Sequence, residues 1–441
     1  MVVSRAGDTR EIRVPYDSEI VLRVPAGEAA SEPLLSIVIP ALDEAAVIGE
    51  FLGWCHEGIR KAGIAAEIII VDSSSDRTGD IALAEGARVL TTPKRGLGRA
   101  YIDAIPFIRG RYVLMGDADC TYDFRELNGF VEKLEQGYEF VMGSRFAGAI
   151  EPGAMPALHR YFGTPLTGTI LNLIYGTRFS DIHCGMRGVT LAALRAMMLQ
   201  SQGWEYASEM LIKATRLGLR TGETPVKFLR DRAGRVSHHR RAGWLSPWAA
   251  GWNNLKAMLV SGADFFLIKP GLVLLAMGLA LMLALVGGPI TIGRVTLSLN
   301  VMMLALTMAV VGLQACLLGG VARSLYDLLG RHRTRWLQAF SYTRTTLLSL
   351  LMFIAGLWLT GNFVVEFINA GYAMLPQETA ANHRAVFGLF MIIAAFQIFM
   401  AMLLMHGVAG FAPLYDANSV ATRWAGVASR GEKFNRAKVA E

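Results

Sequence analysis

The chain has 441 residues, 53% of them hydrophobic and only 18% charged, and its mean hydropathy of +0.38 is too high for a purely soluble protein. A formal net charge of +7 leaves nucleic acid, anionic lipid and phosphate-bearing substrates open until the basic residues are placed. The scattered Cys55, Cys120, Cys184 and Cys316 form neither a CxxC pair nor a His/Cys cluster, which argues against a disulfide framework or structural zinc and suits a cytoplasmic working part.

Residues 1–33 mix charges with short apolar runs and lack the continuous apolar stretch of a signal peptide, so they read as a small N-terminal extension. Over 34–243, strand-like runs (LLSIVIP, AEIIIVD, GRYVLMGDAD, YEFVMGSR) alternate with helix-like segments carrying charges. This pattern predicts an α/β domain with a mostly parallel sheet covered by helices. Ligands of such sheets gather at the carboxyl ends of the strands.

Between 244 and 268, Trp244, Trp248, Trp252, Leu255 and Leu259 recur at helical spacing, with Arg240, Arg241 and Lys256 nearby. The segment reads as an amphipathic helix in the headgroup region, the competing reading being a helix packed on the domain. From 269 to 412 come stretches without charge, bounded by Lys269 and Arg294, Arg294 and Arg323, Arg344 and Glu366, and Arg384 and Asp416. Each reaches the roughly 20 residues needed to cross a bilayer, which predicts an all-α domain of four transmembrane helices. Gly287, Gly288 and Pro289 suit a turn after the first.

The loop after the second span carries Arg323, Arg331, Arg333, Arg335 and Arg344, and the basic tail 413–441 carries Arg423, Arg430, Lys433, Arg436 and Lys438. The other connections hold only Arg294 and Arg384 as basic residues. The positive-inside rule then predicts a multi-pass cell-membrane protein whose α/β domain, Arg-rich loop and tail face the cytoplasm. Topology and phosphate recognition thereby account for the basic excess without nucleic acid.

The chemistry begins at Gly116–Asp119, GDAD, after the run ending at Met115. Two carboxylates one residue apart at a strand end can reach one hard divalent cation, which suits a nucleotide diphosphate; helix capping is the competing role. Ile37–Glu44 reads IVIPALDE, and Ile68–Asp76 reads IIIVDSSSD. Asp72 at its strand tip is placed to accept hydrogen bonds from a base or ribose, while Ser73–Asp76, Ser74 included, can contact the nucleotide or cap the following helix.

IVIPALDE, VDSSSDRT, KRGLGRA, GDADCTYDF, MGSRF and DIHCGMRG, in this order, resemble a family 2 glycosyltransferase, and more narrowly the dolichyl- or polyprenyl-phosphate mannose and glucose synthases. The resemblance implies a GT-A (Rossmann-like) catalytic domain, a nucleotide-diphosphate sugar donor of the GDP-mannose or UDP-glucose type, and Mg²⁺ or Mn²⁺. It further implies inverting transfer of one hexose to a polyprenyl phosphate on the cytoplasmic face. Pro40, Glu44, Asp72 and Asp117, with the intervening Ala118, are implied around the nucleotide, and Asp119 at the metal. Where many of these synthases carry Gln two residues after the second metal Asp, this chain has Thr121, whose hydroxyl can reach the metal directly or through water.

A lipid phosphate is itself the nucleophile and is mostly ionised at neutral pH, its second pKa being about 6. It needs fork-shaped cations that hold it in line, which favours Arg. The resemblance places Arg145 of MGSRF at the acceptor phosphate, which makes Arg145, Asp117 and Asp119 the expected catalytic set. Arg160 lies among Leu158, Phe162, Leu166, Ile170 and Leu173, a candidate apolar face against the membrane, and reads equally as a snorkelling surface Arg. The resemblance sets Asp181 and Arg187 of DIHCGMRG near the transferred sugar and phosphates. Cys184 and His183 read as packing residues.

Lys227–Arg241, KFLRDRAGRVSHHRR, is either a solvated basic face or a recognition element for anionic headgroups. The resemblance makes Arg232, Ser237 and His238 acceptor-side residues. Lys94 and Arg95 offer a diphosphate contact, and a glycine-punctuated helix start explains the same string. Glu205 and Glu209 share a helix face in a structural or sugar-orienting role. Competing functions are a glycosyltransferase acting on another lipid headgroup, or a nucleotide-binding scaffold or flippase. A processive enzyme is disfavoured because the string QxxRW does not occur, and transport because His406 is nearly the only ionisable residue within the spans.

Overall fold

The structure is a computed structural model that describes the chain apart from residues 1–2, 7–8, 15–16, 26–31, 233–251, 253–254, 257–258, 260–261, 326, 328–330, 373–379 and 412–441. The chain divides into two compact units, Met1–Val260 with Asp416–Glu441, and Ser261–Tyr415.

The first unit is built on one ten-stranded mixed sheet in the order β1-β2-β3-β6-β5-β4-β7-β9-β8-β10. Its centre is β4 (Leu35–Ala41), β5 (Ala66–Asp72), β6 (Arg88–Thr91) and β7 (Tyr112–Met115), paired in parallel. These strands are apolar runs because helices cover both faces: Ile37, Ile39, Ile69 and Ile70 are fully buried. The helices include α1 (Ile48–Ala62), α2 (Thr78–Ala84), α3 (Leu97–Ala104) and α4 (Asn128–Glu135). At the strands' amino ends Glu67 is pinned by Ser36 Oγ at 2.6 Å, Arg88 at 2.8 Å and Arg109 at 2.7 Å, which leaves the carboxyl ends for chemistry.

Past β7 the parallel pattern breaks. The four-residue β9 (Arg187–Thr190) runs antiparallel between β7 and β8 (Phe140–Ile150), and β10 (Thr221–Phe228) pairs in parallel with β8 at the sheet's edge. The β8–β10 register shifts between Pro225 and Lys227. Between these strands lie α5 (Thr164–Tyr175), entered through a wide turn over His159–Gly163, α6 (Leu191–Ala196) and α7 (Tyr206–Leu217).

The N-terminal residues are more than an extension. β1 (Val3–Ala6), β2 (Thr9–Val14) and β3 (Asp17–Val24) form an antiparallel meander that joins the main sheet through β6. The period-two alternation of DSEIVLRV sends Ile20, Leu22 and Val24 into the core, with exposures of 0%, 1% and 6%.

Among its described residues the second unit contains four helices long and apolar enough to cross a membrane: α8 (Ala263–Leu285), α9 (Leu299–Leu325), α11 (Tyr342–Asn369) and α12 (Ala380–Phe411), with α10 (Arg331–Ala339) in the Arg-rich loop. Glycines let the backbones touch. A Cβ on Gly312 would stand 2.3 Å from the Leu275 nitrogen, and one on Gly278 2.4 Å from the Ala309 nitrogen. Gly356 and Gly388 join α11 to α12 in the same way. Gly288, at φ +124°, makes the expected turn, followed by a hairpin of β11 (Ile290–Ile292) and β12 (Val295–Leu297) that the sequence reading did not include. His406 Nε2 lies 3.0 Å from the Phe340 carbonyl, a structural partner 66 residues away. Trp252, Leu255, Lys256 and Leu259 are helical, whereas Trp244 and Trp248 lie outside the described residues.

Candidate active site

At the carboxyl ends of β4 and β5 the two strand-tip motifs are tied together. The Asp43 and Glu44 amides donate to Ser74 Oγ at 2.8 Å and Thr78 Oγ1 at 2.9 Å. The Ser75 amide donates to Asp43 Oδ1 at 2.9 Å, and Asp76 takes the Thr78 amide at 2.9 Å. Asp43 adopts φ +56°, a conformation uncommon outside glycine that this lacing holds in place. Pro40, opposite Val71 in the β4–β5 register, is half-buried, and Glu44 is buried. Burial pushes the Asp72 carboxyl up, against hydrogen bonds from Ser74 that favour its charge. Ser74–Asp76 therefore lace the two strand tips, and Ser74's hydroxyl holds the Asp43 amide, while the N-cap of α2 is Arg77 without a side-chain cap.

Beyond β7, Gly116, Ala118 and Cys120 are buried while Asp117 and Asp119 are half-buried, so alternation turns both carboxylates to the open side. Cys120 has φ +58°. Tyr101 Oη holds the Gly116 carbonyl at 2.8 Å and stacks on Tyr206 at 5.0 Å, so α3 and α7 brace the loop from below. Thr121 donates to Asp119 Oδ1 from its amide at 3.0 Å and its hydroxyl at 2.6 Å. In this structure Thr121 orients Asp119.

The GDAD loop meets the DIHCGMRG loop. A Cβ on Gly185 would stand 2.4 Å from Asp117 Oδ2, and the Gly185 amide donates to Tyr122 Oη at 2.8 Å. From β8, Arg145 forks onto Asp181: Nε to Oδ2 at 2.6 Å, Nη2 to Oδ1 at 2.8 Å, with the Arg145 amide also on Oδ2 at 3.1 Å. Nη1 is the arm Asp181 does not engage. Burial opposes the Arg145 charge, but the Tyr122 hydroxyl and the Asp181 carboxylate outweigh it and hold its pKa above the ordinary value. The guanidinium also lies 5.1 Å from the Phe228 ring, which packs on Tyr122. Ser180 and its Glu223 partner, at 2.7 Å from the Ser180 amide, fix the loop on β10.

Several of the expected site residues have partners within the fold. Asp181, expected at the nucleotide sugar, is fully buried and committed to Arg145. Arg187, expected at the acceptor phosphate, is 3% exposed and donates to the carbonyls of Cys184 at 2.9 Å and Ala207 at 2.7 Å, which holds the loop. Arg95 is paired with Asp17 and Glu19 of β3, and Gly96, at φ +112°, starts α3, so the helix-start reading of KRGLGRA describes what is seen. Lys94 is exposed beside it.

Arg160 is half-buried against the Tyr161 ring, and Leu158, Phe162, Leu166 and Leu173 are exposed, with Ile170 half-buried. Arg232 pairs with Glu50 and lies 5.2 Å from the Trp54 ring, which Arg125 covers at 4.5 Å. Ser237 and His238 lie outside the described residues. Glu209 takes the amides of Gln200 and Ser201 and pairs with Lys213, a structural role.

Sequence reasoning missed Tyr122, which carries the contact between GDAD and DIHCGMRG; its position inside GDADCTYDF was the available signal. Burial raises the Cys184 thiol to about 12 and lowers His183 to about 4, as packing residues behave.

A mixed α/β sheet with an acidic DxD at one strand tip, a buried Arg within β8, and four membrane-length helices defines a GT-A-type glycosyltransferase on a membrane anchor. The chain matches Glycosyl transferase family 2 over residues 36–200 and the glycosyltransferase family 2 C-terminal transmembrane region over 319–409. It is 32% identical over 375 residues to the low-salt glycan biosynthesis hexosyltransferase Agl6 of Haloferax volcanii, covering 82% of this chain and 88% of the relative. A dolichyl-phosphate hexose transferase of the same organism is 30% identical over 221 residues, 49% of this chain and 89% of the relative. Mannosyl-3-phosphoglycerate synthase from Rubrobacter xylanophilus aligns at 22% identity and a TM-score of 0.41, over 52% of this chain and 74% of the other. The protein is an enzyme of glycosyltransferase family 2.

Proposed function

We propose that the enzyme transfers one hexose, with inversion, from a nucleotide-diphosphate sugar of the GDP-mannose or UDP-glucose type to a polyprenyl phosphate at the cytoplasmic membrane face. The observation that carries this reading is Arg145: a buried guanidinium, preset by Asp181 beside the acidic loop, in a chain that also carries four membrane-length helices. The name of the dolichyl-phosphate hexose transferase supports the acceptor class, and the Arg-rich loop and tail support the orientation.

In the reaction, a lipid-phosphate oxygen attacks the anomeric carbon, and the bond to the donor's terminal phosphate oxygen breaks. The electron pair leaves with the nucleoside diphosphate, and no general base is needed for an ionised phosphate. Arg145 holds the acceptor phosphate through the arm Asp181 leaves over, which fixes direction of attack. Pro40, Glu44 and Asp72 receive the nucleoside, with Lys94 near the diphosphate. Arg160 and the exposed Leu158, Phe162, Leu166 and Leu173 meet the lipid, and Arg232, Ser237 and His238 complete the acceptor side.

Asp117 and Asp119 suit Mg²⁺ or Mn²⁺: hard oxygen donors turned the same way, one preset by Thr121. Among the described residues no third acidic, His or Cys side chain joins them. Such a cation neutralises charge on the departing diphosphate.

The test is incubation of membranes holding the enzyme with labelled GDP-mannose or UDP-glucose, polyprenyl phosphate and Mg²⁺ or Mn²⁺. A lipid-extractable, acid-labile product of inverted anomeric configuration is expected, and Asp119→Ala abolishes it. Absence of product with every donor in a nucleotide-sugar panel overturns the reading.

A further inference from the structure

Arg23 stands two strands from Asp72. β3 sets Val21 opposite Thr91 of β6, and Thr91 is in turn opposite Asp72 of β5. The alternation that buries Ile20, Leu22 and Val24 puts Arg23 on the other face, where its Nη1 reaches Asp80 Oδ1 at 2.8 Å. Its Nη2 and Asp72 Oδ2 both crowd one point: a Cβ on Gly79 would lie 2.6 Å from the first and 2.3 Å from the second. Arg23 and Asp72 thus both border the space that Gly79 leaves open, without a hydrogen bond or ion pair between them, and the Arg23 charge favours ionised Asp72 against its burial. The buried Nε of Arg23 has no hydrogen-bond partner among the described residues.

The same strand holds a second element of the strand-tip rim. Asp17 and Glu19, at the end of β3 beside the carboxyl ends of β5 and β6, bracket Arg95 at 2.5 Å and 2.6 Å. Arg95 belongs to the connection between β6 and α3, so the meander fixes that connection and neutralises its guanidinium.

We propose that the N-terminal meander is part of the donor site: Arg23 positions Asp72, and Asp17 with Glu19 tether Arg95, so that this strand sets affinity for the donor nucleotide and leaves the acceptor untouched. The proposal rests on the reading of Asp72 as a nucleotide contact. An ionised, oriented Asp72 accepts N–H donors from a base or O–H donors from a ribose, and a guanidinium beside it maintains that state. Arg23 acts through Asp72 and is a positioning residue.

The experiment uses the full chain in detergent, with UDP and GDP as probes in calorimetric titration and steady-state kinetics with the matching donor sugar. Arg23→Ala is expected to raise the Kd of the nucleotide and the donor KM together by about threefold, the scale of one partly screened charge near Asp72. Acceptor KM stays within about twofold, and Arg23→Lys restores most of the loss because the charge returns. Asp17→Asn with Glu19→Gln, which leaves Arg23 in place, raises the same two constants by about threefold and serves if Arg23→Ala does not fold. Asp72→Ala separates the two readings. If it raises donor KM and neither meander variant does, the meander proposal alone fails. If Asp72→Ala has no effect, or neither nucleotide binds the unaltered protein, the nucleotide reading fails and the proposal with it. Equal changes in donor and acceptor KM also overturn it.

Discussion

Asp181→Asn isolates the charge that presets Arg145. Asp181 is fully buried, and the Arg145 side chain is only 10% exposed, so solvent offers either group little relief. Asn keeps the shape and one carbonyl oxygen. It retains one side-chain hydrogen bond from the fork and turns its amide toward the other arm, losing a charge-assisted bond worth about 1.5–3 kcal/mol as well as the counter-charge. Removing one member of a buried pair costs about 3–5 kcal/mol, so Asp181→Asn is placed at roughly 3 kcal/mol and Arg145→Met at about 4. For a domain of this size each kcal/mol lowers Tm by about 2–4 °C, which predicts a fall of roughly 6–12 °C for Asp181→Asn. Thermal unfolding of the full chain in detergent, followed by near-UV circular dichroism, measures it. Combined with Arg145→Met, no charge remains stranded, and about 2 kcal/mol or more of the summed loss returns. The double variant recovers stability without recovering transfer. Strict additivity, or single losses below about 1 kcal/mol, would refute a coupled buried fork.

Thr121→Val removes the hydroxyl that orients Asp119. The half-saturating Mn²⁺ concentration is expected to rise about fivefold, with kcat at saturating metal nearly unchanged, in a cation titration of initial rates. Burial holds His183 near pKa 4, below its ordinary 6.5. The unfolded state therefore binds the proton first as pH falls, and the stability it contributes is full above about 6.5 and lost toward 4, at most roughly 3 kcal/mol. The slope of Tm against pH between about 7 and 4.5 should be smaller in His183→Asn than in the unaltered protein, and equal slopes refute it. In the helical unit, Gly312→Leu drives side-chain atoms into the Leu275 backbone and should cost about 3 kcal/mol in an SDS unfolding titration. Gly287→Leu, where nothing lies within 4 Å of the added Cβ, serves as the control.

The central strands were legible because an unbroken apolar run such as IVIP or IIIVD is what a strand covered on both faces requires. The four long helices were legible for a similar reason, length in a non-aqueous solvent. β9 was not: RGVT is too short to carry a period, and its antiparallel placement follows from partners on either side. β1–β3 were read as an extension because charges interrupt them, although DSEIVLRV does carry the two-residue alternation of a half-buried strand. Within the candidate site, Asp117 and Asp119 were accessible as acidic residues after a strand, and Arg145 as a residue type, although β8 runs past it to Ile150. The partnership of Arg145 with Asp181, 36 residues away, is tertiary, as are the bonds from Arg187 to the Cys184 and Ala207 carbonyls.

The last strand of the sheet has a consequence for the enzyme at high surface density. β10 ends the hydrogen-bonded ladder, and an open ladder edge can recruit a strand from a neighbouring copy, a risk that rises where chains are confined to two dimensions. Pro225, exposed in that strand, has no N–H to offer, the register breaks between Pro225 and Lys227, and Lys227 places a charge paired with Glu126 along the same edge. The edge is thereby a poor template for a further strand. Pro225→Val with Lys227→Thr should leave transfer intact yet convert the protein from a dispersed to a self-associating one as its density in the bilayer increases.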